Sequence, residues 1–194
     1  IAIPLDGKNL SFYLRLILTQ RNLLTIMGDH EKPIYSVDMH NEKRMLLTAG
    51  TDNNLFIWEP LDGVLLEKVE IFSDNKVPCI FNPAGTHYLK PISENMVSLI
   101  PVDTENDSLI MINEKDIPIN AACFSSDGKY LAMPLKTGII RLYDSNTGMK
   151  IKDFSLKSEE VNPGNVVSVS ISPNGNYLTC GTDNGCLYIW KIDG

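Results

Sequence analysis

The stretch that decides the fold is LLTAGTDNNLFIWEP, residues 46–60, because it returns as YLTCGTDNGCLYIWKI at residues 177–192. Each copy runs from an apolar segment through T-x-G-T-D-N to a second apolar segment that carries a Trp. A duplicated structural unit explains such a pair more simply than a duplicated active site. It also makes a demand: weaker copies must lie between the two at a fixed period.

The turns meet that demand. Tight-turn signals built from Pro, Asp, Asn and Gly occur at Leu5-Asp6-Gly7, Pro83-Ala84-Gly85, Ser126-Asp127-Gly128 and Pro173-Asn174-Gly175. Gly175 lies 47 residues after Gly128, Gly128 lies 43 after Gly85, and Gly85 lies 78 after Gly7, which is two periods. The missing turn falls on His40-Asn41-Glu42-Lys43, in a degenerate form. A second turn series keeps the same period, at Leu61-Asp62-Gly63, Asn146-Thr147-Gly148 and Asp193-Gly194.

Each period has room for four short strands, a to d, rich in Val, Ile, Leu and aromatic residues. In the second unit these are expected over residues 34–39, 45–49, 55–59 and 64–71. No stretch carries a sustained helical period. A repeat of about 43 residues with four strands marks the blade of a β-propeller. The expected fold is therefore all-β, with five antiparallel units over residues 1–27, 28–72, 73–112, 113–156 and 157–194, the last one incomplete.

Composition narrows the function classes. The chain has 194 residues, 43% of them apolar, which suits a globular protein. No apolar run reaches the roughly 18 residues of a membrane span, and the first residues carry no basic, cleavable leader. The formal net charge of −7 disfavours nonspecific binding to nucleic acid. Cys79, Cys123, Cys180 and Cys186 form no C-x-x-C pair, zinc sites need close ligand pairs, and only three histidines are there to help, so no metal site is expected. They read as small apolar strand residues in a reducing compartment, cytoplasmic or nuclear. No phosphate loop, nucleophile elbow or H-E-x-x-H motif is present, so neither an enzyme nor a cofactor is expected.

On these residues the chain resembles the WD40-repeat propellers, strongly in units two and five, moderately in four, weakly in one and three. Unit two has Gly28-Asp29-His30 where that family has a G-H dipeptide, followed by Thr48, Asp52 and Trp58. The resemblance implies that His30, Thr48, Asp52 and Trp58 form a hydrogen-bonded chain that locks the blade. Thr179, Asp183 and Trp190 are expected to repeat that network in unit five without a His, across a b–c turn one residue longer. A hydroxyl, an imidazole and a carboxylate could also make a catalytic relay, but the second copy lacks the imidazole, and the structural reading is preferred. Unit four has Tyr143-Asp144 in place of Trp-Asp, and unit three has neither a Trp nor a turn Asp.

The resemblance also implies a scaffold that binds other proteins through loops on the propeller faces. The d–a connections are the candidates, with Asp74, Asn75, Lys115, Glu159, Glu160 and Asn162 as expected contact residues, the longest and most acidic loop being 157–165. The runner-up is a propeller that binds nucleic acid, histones or ribonucleoprotein; a propeller enzyme comes third. Five units fall short of the seven blades the resemblance implies. Further sequence, or a strand from a partner, is expected to close the ring and cover the open edge at Cys186-Leu187-Tyr188-Ile189.

Overall fold

A computed structural model describes the backbone of residues 2–5, 9–14 and 22–27, and then residues 30–72, 74, 76–93, 96–102, 110–113, 121–135, 138–156 and 164–193. Among them there is no helix. Seventeen described strands form five sheets, and every described pairing is antiparallel. The first sheet holds β1 (Ala2–Leu5), β2 (Asn9–Leu14) and β3 (Asn22–Met27). The second holds β4 (Ile34–His40), β5 (Met45–Gly50), β6 (Asn54–Glu59) and β7 (Val64–Glu70). The third holds β8 (His87–Ser93), β9 (Met96–Pro101) and β10 (Ile110–Asn113). The fourth holds β11 (Cys123–Phe124), β12 (Tyr130–Leu135), β13 (Ile139–Asp144) and β14 (Lys150–Ser155). The fifth holds β15 (Val166–Ile171), β16 (Tyr177–Thr182) and β17 (Leu187–Lys191).

The turns fall where their chemistry places them. Gly85, Gly128 and Gly175 close the a–b hairpins of units three, four and five with φ between 64° and 72°, a region that costs a residue with a Cβ about 1–2 kcal/mol. In unit two the same turn runs over 41–44, and Arg44 takes the positive φ of 51° itself. Residues 6–8, which carry the turn expected at Gly7, lie outside the described residues.

Strand counts depart from four per unit. In unit three the first strand shrinks to a single bridge, Phe81 to Tyr88. The outward donors of that segment are taken by unit two instead: the Cys79 N–H donates to Ser36 Oγ at 3.0 Å and the Phe81 N–H to Asp38 Oδ2 at 2.7 Å. Among the described residues the fifth sheet has three strands. The first sheet also has three described strands, with β3 pairing directly to β2.

The sheets stack face to face, and the alternation of each strand divides its residues between two neighbours. From unit two, Leu47, Ala49, Leu55 and Ile57 pack with Ile71, Cys79, Phe81 and Tyr88 of the following junction. Leu89, Val97 and Leu99 of unit three meet Leu131, Met133 and Tyr143 of unit four. Ala132, Ile140 and Leu142 of unit four meet Leu178 and Cys180 of unit five. In units two and four both faces are covered, and β5 and β12 read as nearly continuous apolar runs rather than alternating ones; all six residues of β5 are buried. Fully burying one such Leu or Phe side chain contributes about 1.5–3 kcal/mol.

Candidate functional site in unit two

The b–c hairpin of unit two brings four side chains into one line. Thr48 is the fourth residue of β5 and pairs with Phe56 of β6. Trp58, two residues on, shares that face. Its indole N–H donates to Thr48 Oγ1 at 3.0 Å. His30, in the loop before β4, places Nε2 2.9 Å from Thr48 Oγ1 and Nδ1 3.0 and 3.1 Å from the two oxygens of Asp52. Thr48 is fully buried, and His30 and Trp58 are each 4% exposed.

The donor inventory gives the chain a direction. A carboxylate only accepts, so His30 donates from Nδ1, and the neutral ring then accepts at Nε2. The Thr48 hydroxyl gives its proton to Nε2 and takes the indole proton in turn. Protons therefore point from Trp58 through Thr48 and His30 to Asp52, with no donor left over. Asp52 also receives the N–H groups of Glu31 at 2.9 Å and Asn54 at 3.2 Å. Burial pushes the Asp52 carboxyl up, but the His30 bond and these two N–H groups outweigh it and hold it below the usual carboxylate value. The His30 ring meets Phe56 edge-on at 4.4 Å.

Gly50 is part of this site, although its neighbours on the sequence give no sign of it. A Cβ there would lie 2.5 Å from both Asp52 Oδ1 and His30 Nδ1. The backbone of β5 must pass this close for the imidazole to reach Thr48.

Unit five does not assemble the expected copy. Thr179 donates weakly to Ser170 O at 3.4 Å, Asp183 binds the backbone and side-chain amides of Asn165 at 2.8 and 2.9 Å, and Trp190 stacks on Tyr188 with ring centroids 5.7 Å apart. Register is the reason. Thr179 pairs with Ile189, so Trp190 lies on the opposite face of the sheet from Thr179. The fourth residue of β16 is Cys180, which pairs with Tyr188 as Thr48 pairs with Phe56. Counted back from the Trp, Cys180 stands in the place of Thr48 and Asn184 in the place of Asp52. The backbone agrees: Asp183 N donates to Asn165 O as Thr51 N donates to Pro33 O, both at 2.9 Å. The b–c connection is not longer in unit five, since Ala49 to Leu55 and Gly181 to Leu187 are the last pairs of the two hairpins and are equally spaced. The shared letters T-x-G-T-D-N are thus offset by one residue in space.

Of the expected loop residues, Asp74 is exposed in a turn. Asn75, Lys115, Glu159, Glu160 and Asn162 lie outside the described residues. All four cysteines are unpaired, and burial pushes the Cys79 thiol up to about 12. Among the described residues no group of acidic, Cys or His side chains is arranged to hold a metal, and no helix is long and apolar enough to cross a membrane.

The residue pattern is matched by known proteins. The family model "WD domain, G-beta repeat" matches residues 21–59 and 156–191, and "Anaphase-promoting complex subunit 4 WD40 domain" matches 103–163. The chain belongs to the WD40-repeat family. Autophagy-related protein 18 of Dictyostelium discoideum is 31% identical over 163 residues, which span 82% of this WD40 chain and 42% of that protein. COMPASS component SWD3 of Saccharomyces cerevisiae is 21% identical across 94% of this chain and 62% of its own length. The crystal structure of the Myceliophteria thermophila Cps50 (Swd1) β-propeller domain superposes with a TM-score of 0.75 at 15% identity, covering all of this chain and 63% of that one. The WD40 chain thus spans less than two thirds of each of these proteins, and its fold is a β-propeller.

Proposed function

We propose that this WD40 chain is a non-catalytic scaffold that mediates protein–protein contacts within a multiprotein complex through loops on its propeller faces, in the cytoplasm or nucleus, where free thiols such as Cys79 and Cys180 persist. The observation that carries this reading is the saturated chain of Trp58, Thr48, His30 and Asp52. Its hydroxyl and imidazole are the groups a hydrolytic relay would use. Here both are shielded from solvent and committed to structural partners, so no nucleophile is presented to a substrate. The network serves to hold the loop before β4 against the b–c turn, which gives a rigid platform for exposed loops. SWD3, by its name a component of COMPASS, offers a parallel for work inside an assembly.

The test is capture from cell extract with loop-swapped proteins. Exchanging residues 73–76, 113–116 or 157–165 for the corresponding loop of another unit is expected to lose specific partners at unchanged melting temperature. Partners that survive all three exchanges would refute the assignment to these loops. Hydrolase or transferase activity abolished by Thr48→Val would refute the non-catalytic reading.

A further inference from the structure

Asn184 stands where unit two has Asp52, and the two b–c turns agree beyond the strand register. The Asn54 N–H donates to Asp52 Oδ1 at 3.2 Å, and the Cys186 N–H donates to Asn184 Oδ1 at 3.3 Å. The residue between takes a left-handed backbone in both turns, with φ of 62° at Asn53 and 84° at Gly185. Unit two therefore places Asp-Asn where unit five places Asn-Gly. An Asn followed by Gly is a reactive pair. The backbone nitrogen of the second residue can attack the side-chain carbonyl carbon of the first and close a five-membered ring, and glycine keeps that approach clear of a Cβ.

The turn favours this reaction. Asn184 and Gly185 are exposed, and nothing lies within 4 Å of the position that a Cβ on Gly185 would take. Water and base therefore reach the peptide. Two donors converge on Asn184 Oδ1, the Thr182 hydroxyl at 2.6 Å and the Cys186 N–H at 3.3 Å. That oxygen gains negative charge as the nitrogen attacks, so the two donors serve it as an oxyanion hole would. The attacking nitrogen is loosely held, since the Gly185 N–H donates to Thr182 O at 3.1 Å. The sequence has a second Asn-Gly pair, Asn174-Gly175, in the a–b turn of the same unit. There the Ser172 hydroxyl at 2.7 Å and the Asn176 N–H at 3.1 Å reach the amide oxygen in the same way, but the Gly175 N–H is tied to Ser172 O at 2.8 Å. Gly185 has the freer nucleophile.

We infer that Asn184 is a deamidation site, converted through Gly185 to aspartate and isoaspartate at the position that Asp52 holds in unit two. Gly185 N loses its proton and bonds to Asn184 Cγ, the Cγ–Nδ2 bond breaks, and Nδ2 leaves with a proton as ammonia. Water then opens the succinimide at Cγ to give aspartate, or at the main-chain carbonyl to give isoaspartate. Water is the only co-reactant. The product adds a carboxylate beside Asp183. Asp183 Oδ1 and Asn184 Cγ lie 2.6 and 2.8 Å from the place that a Cβ on Gly164 would fill, so two anionic groups then flank the chain as it enters unit five. The inference does not depend on the scaffold reading.

In the test, the full protein is held folded in heavy-oxygen water at neutral and mildly alkaline pH, then digested in ordinary water and mapped by mass spectrometry. Ring opening takes its oxygen from solvent, so heavy oxygen marks only the conversion that occurs during the incubation. Label at residue 184 is expected to accumulate as aspartate and isoaspartate, faster than at residue 174, at a rate that rises with pH. Gly185→Asn, which installs the residue unit two carries at this φ, is expected to slow labelling by about tenfold or more. Absence of label at 184, faster labelling at 174, or undiminished labelling of folded Gly185→Asn would overturn the inference. If Gly185→Asn does not fold, Thr182→Val decides: it removes the hydroxyl donor to Oδ1, is expected to slow labelling at 184 but not at 174, and overturns the inference if the rate at 184 is unchanged.

Discussion

Units two and five spell nearly the same words and fold them one residue out of step. In unit two Thr48, Asp52 and Trp58 share a face with His30 and close a hydrogen-bonded chain. In unit five the like-named Thr179 points to the other face, where Tyr177, Leu187 and Ile189 are 46%, 69% and 61% exposed. The position that matters there is held by Cys180, which is buried against unit four. A strand has a period of two residues, so a shift of one letter exchanges inside for outside. Similarity of letters is therefore a weaker guide to function than distance from the Trp.

The harshest way to break this comparison is at Gly50. Gly50→Ala drives a methyl into both the His30 ring and the Asp52 carboxylate, and is expected to cost about 2–4 kcal/mol in urea unfolding. Gly181→Ala should cost much less, since a Cβ there meets only the rotatable Ser168 hydroxyl, at 2.9 Å. Equal losses would show that backbone tightness, not the network, sets the cost at Gly50.

Next come the paired polar deletions. Asp52→Ala and Thr48→Val should each lower stability by about 1–3 kcal/mol, because each strands a buried donor. Thr179→Val should leave the melting temperature unchanged, as should Asp183→Ala, whose carboxylate is solvated. Partner capture by folded Asp52→Ala should match wild type. Stability loss at Thr179 equal to that at Thr48 would restore the expected second network.

Acid sharpens the contrast more gently. The folded Asp52 carboxyl titrates below its unfolded value of about 3.9. Its contribution is therefore fully present above that value and is lost as pH falls through the lower, folded one. The stability difference between wild type and Asp52→Asn should shrink as pH drops below about 4. Asp153 follows the same sign: the Arg141 guanidinium, at 2.7 and 2.9 Å, holds its carboxyl down at about 2. Its share should fade between about 3.9 and that value. A difference that grows on acidification would reverse the assignment.

The smallest effect is expected at the loop before unit five. Glu159→Lys with Glu160→Lys should change stability by no more than about 0.5 kcal/mol, while slowing association with a basic partner at low salt. An unchanged association rate would take this loop off the list of contact surfaces.

Much of this protein was legible from its letters. The period, the glycine turns at 85, 128 and 175, and the strand boundaries of unit two follow from local rules: φ > 0 favours Gly, and strands favour branched and aromatic residues. The grouping of His30, Thr48, Asp52 and Trp58 was also readable, because unit two keeps the spacing of a known repeat. Three things were decided only by the assembled sheets. The register of unit five turns on which residues pair across β16 and β17, and T-x-G-T-D-N permits two answers. The requirement for Gly50 comes from His30, which arrives from a loop 20 residues away. The bonds of Ser36 and Asp38 to residues 79 and 81 depend on two units lying side by side at the inner edge. Local chemistry fixes each hairpin through short-range sterics, whereas the choice of face and the pairing of a half-buried carboxylate are settled by what the neighbouring unit presents.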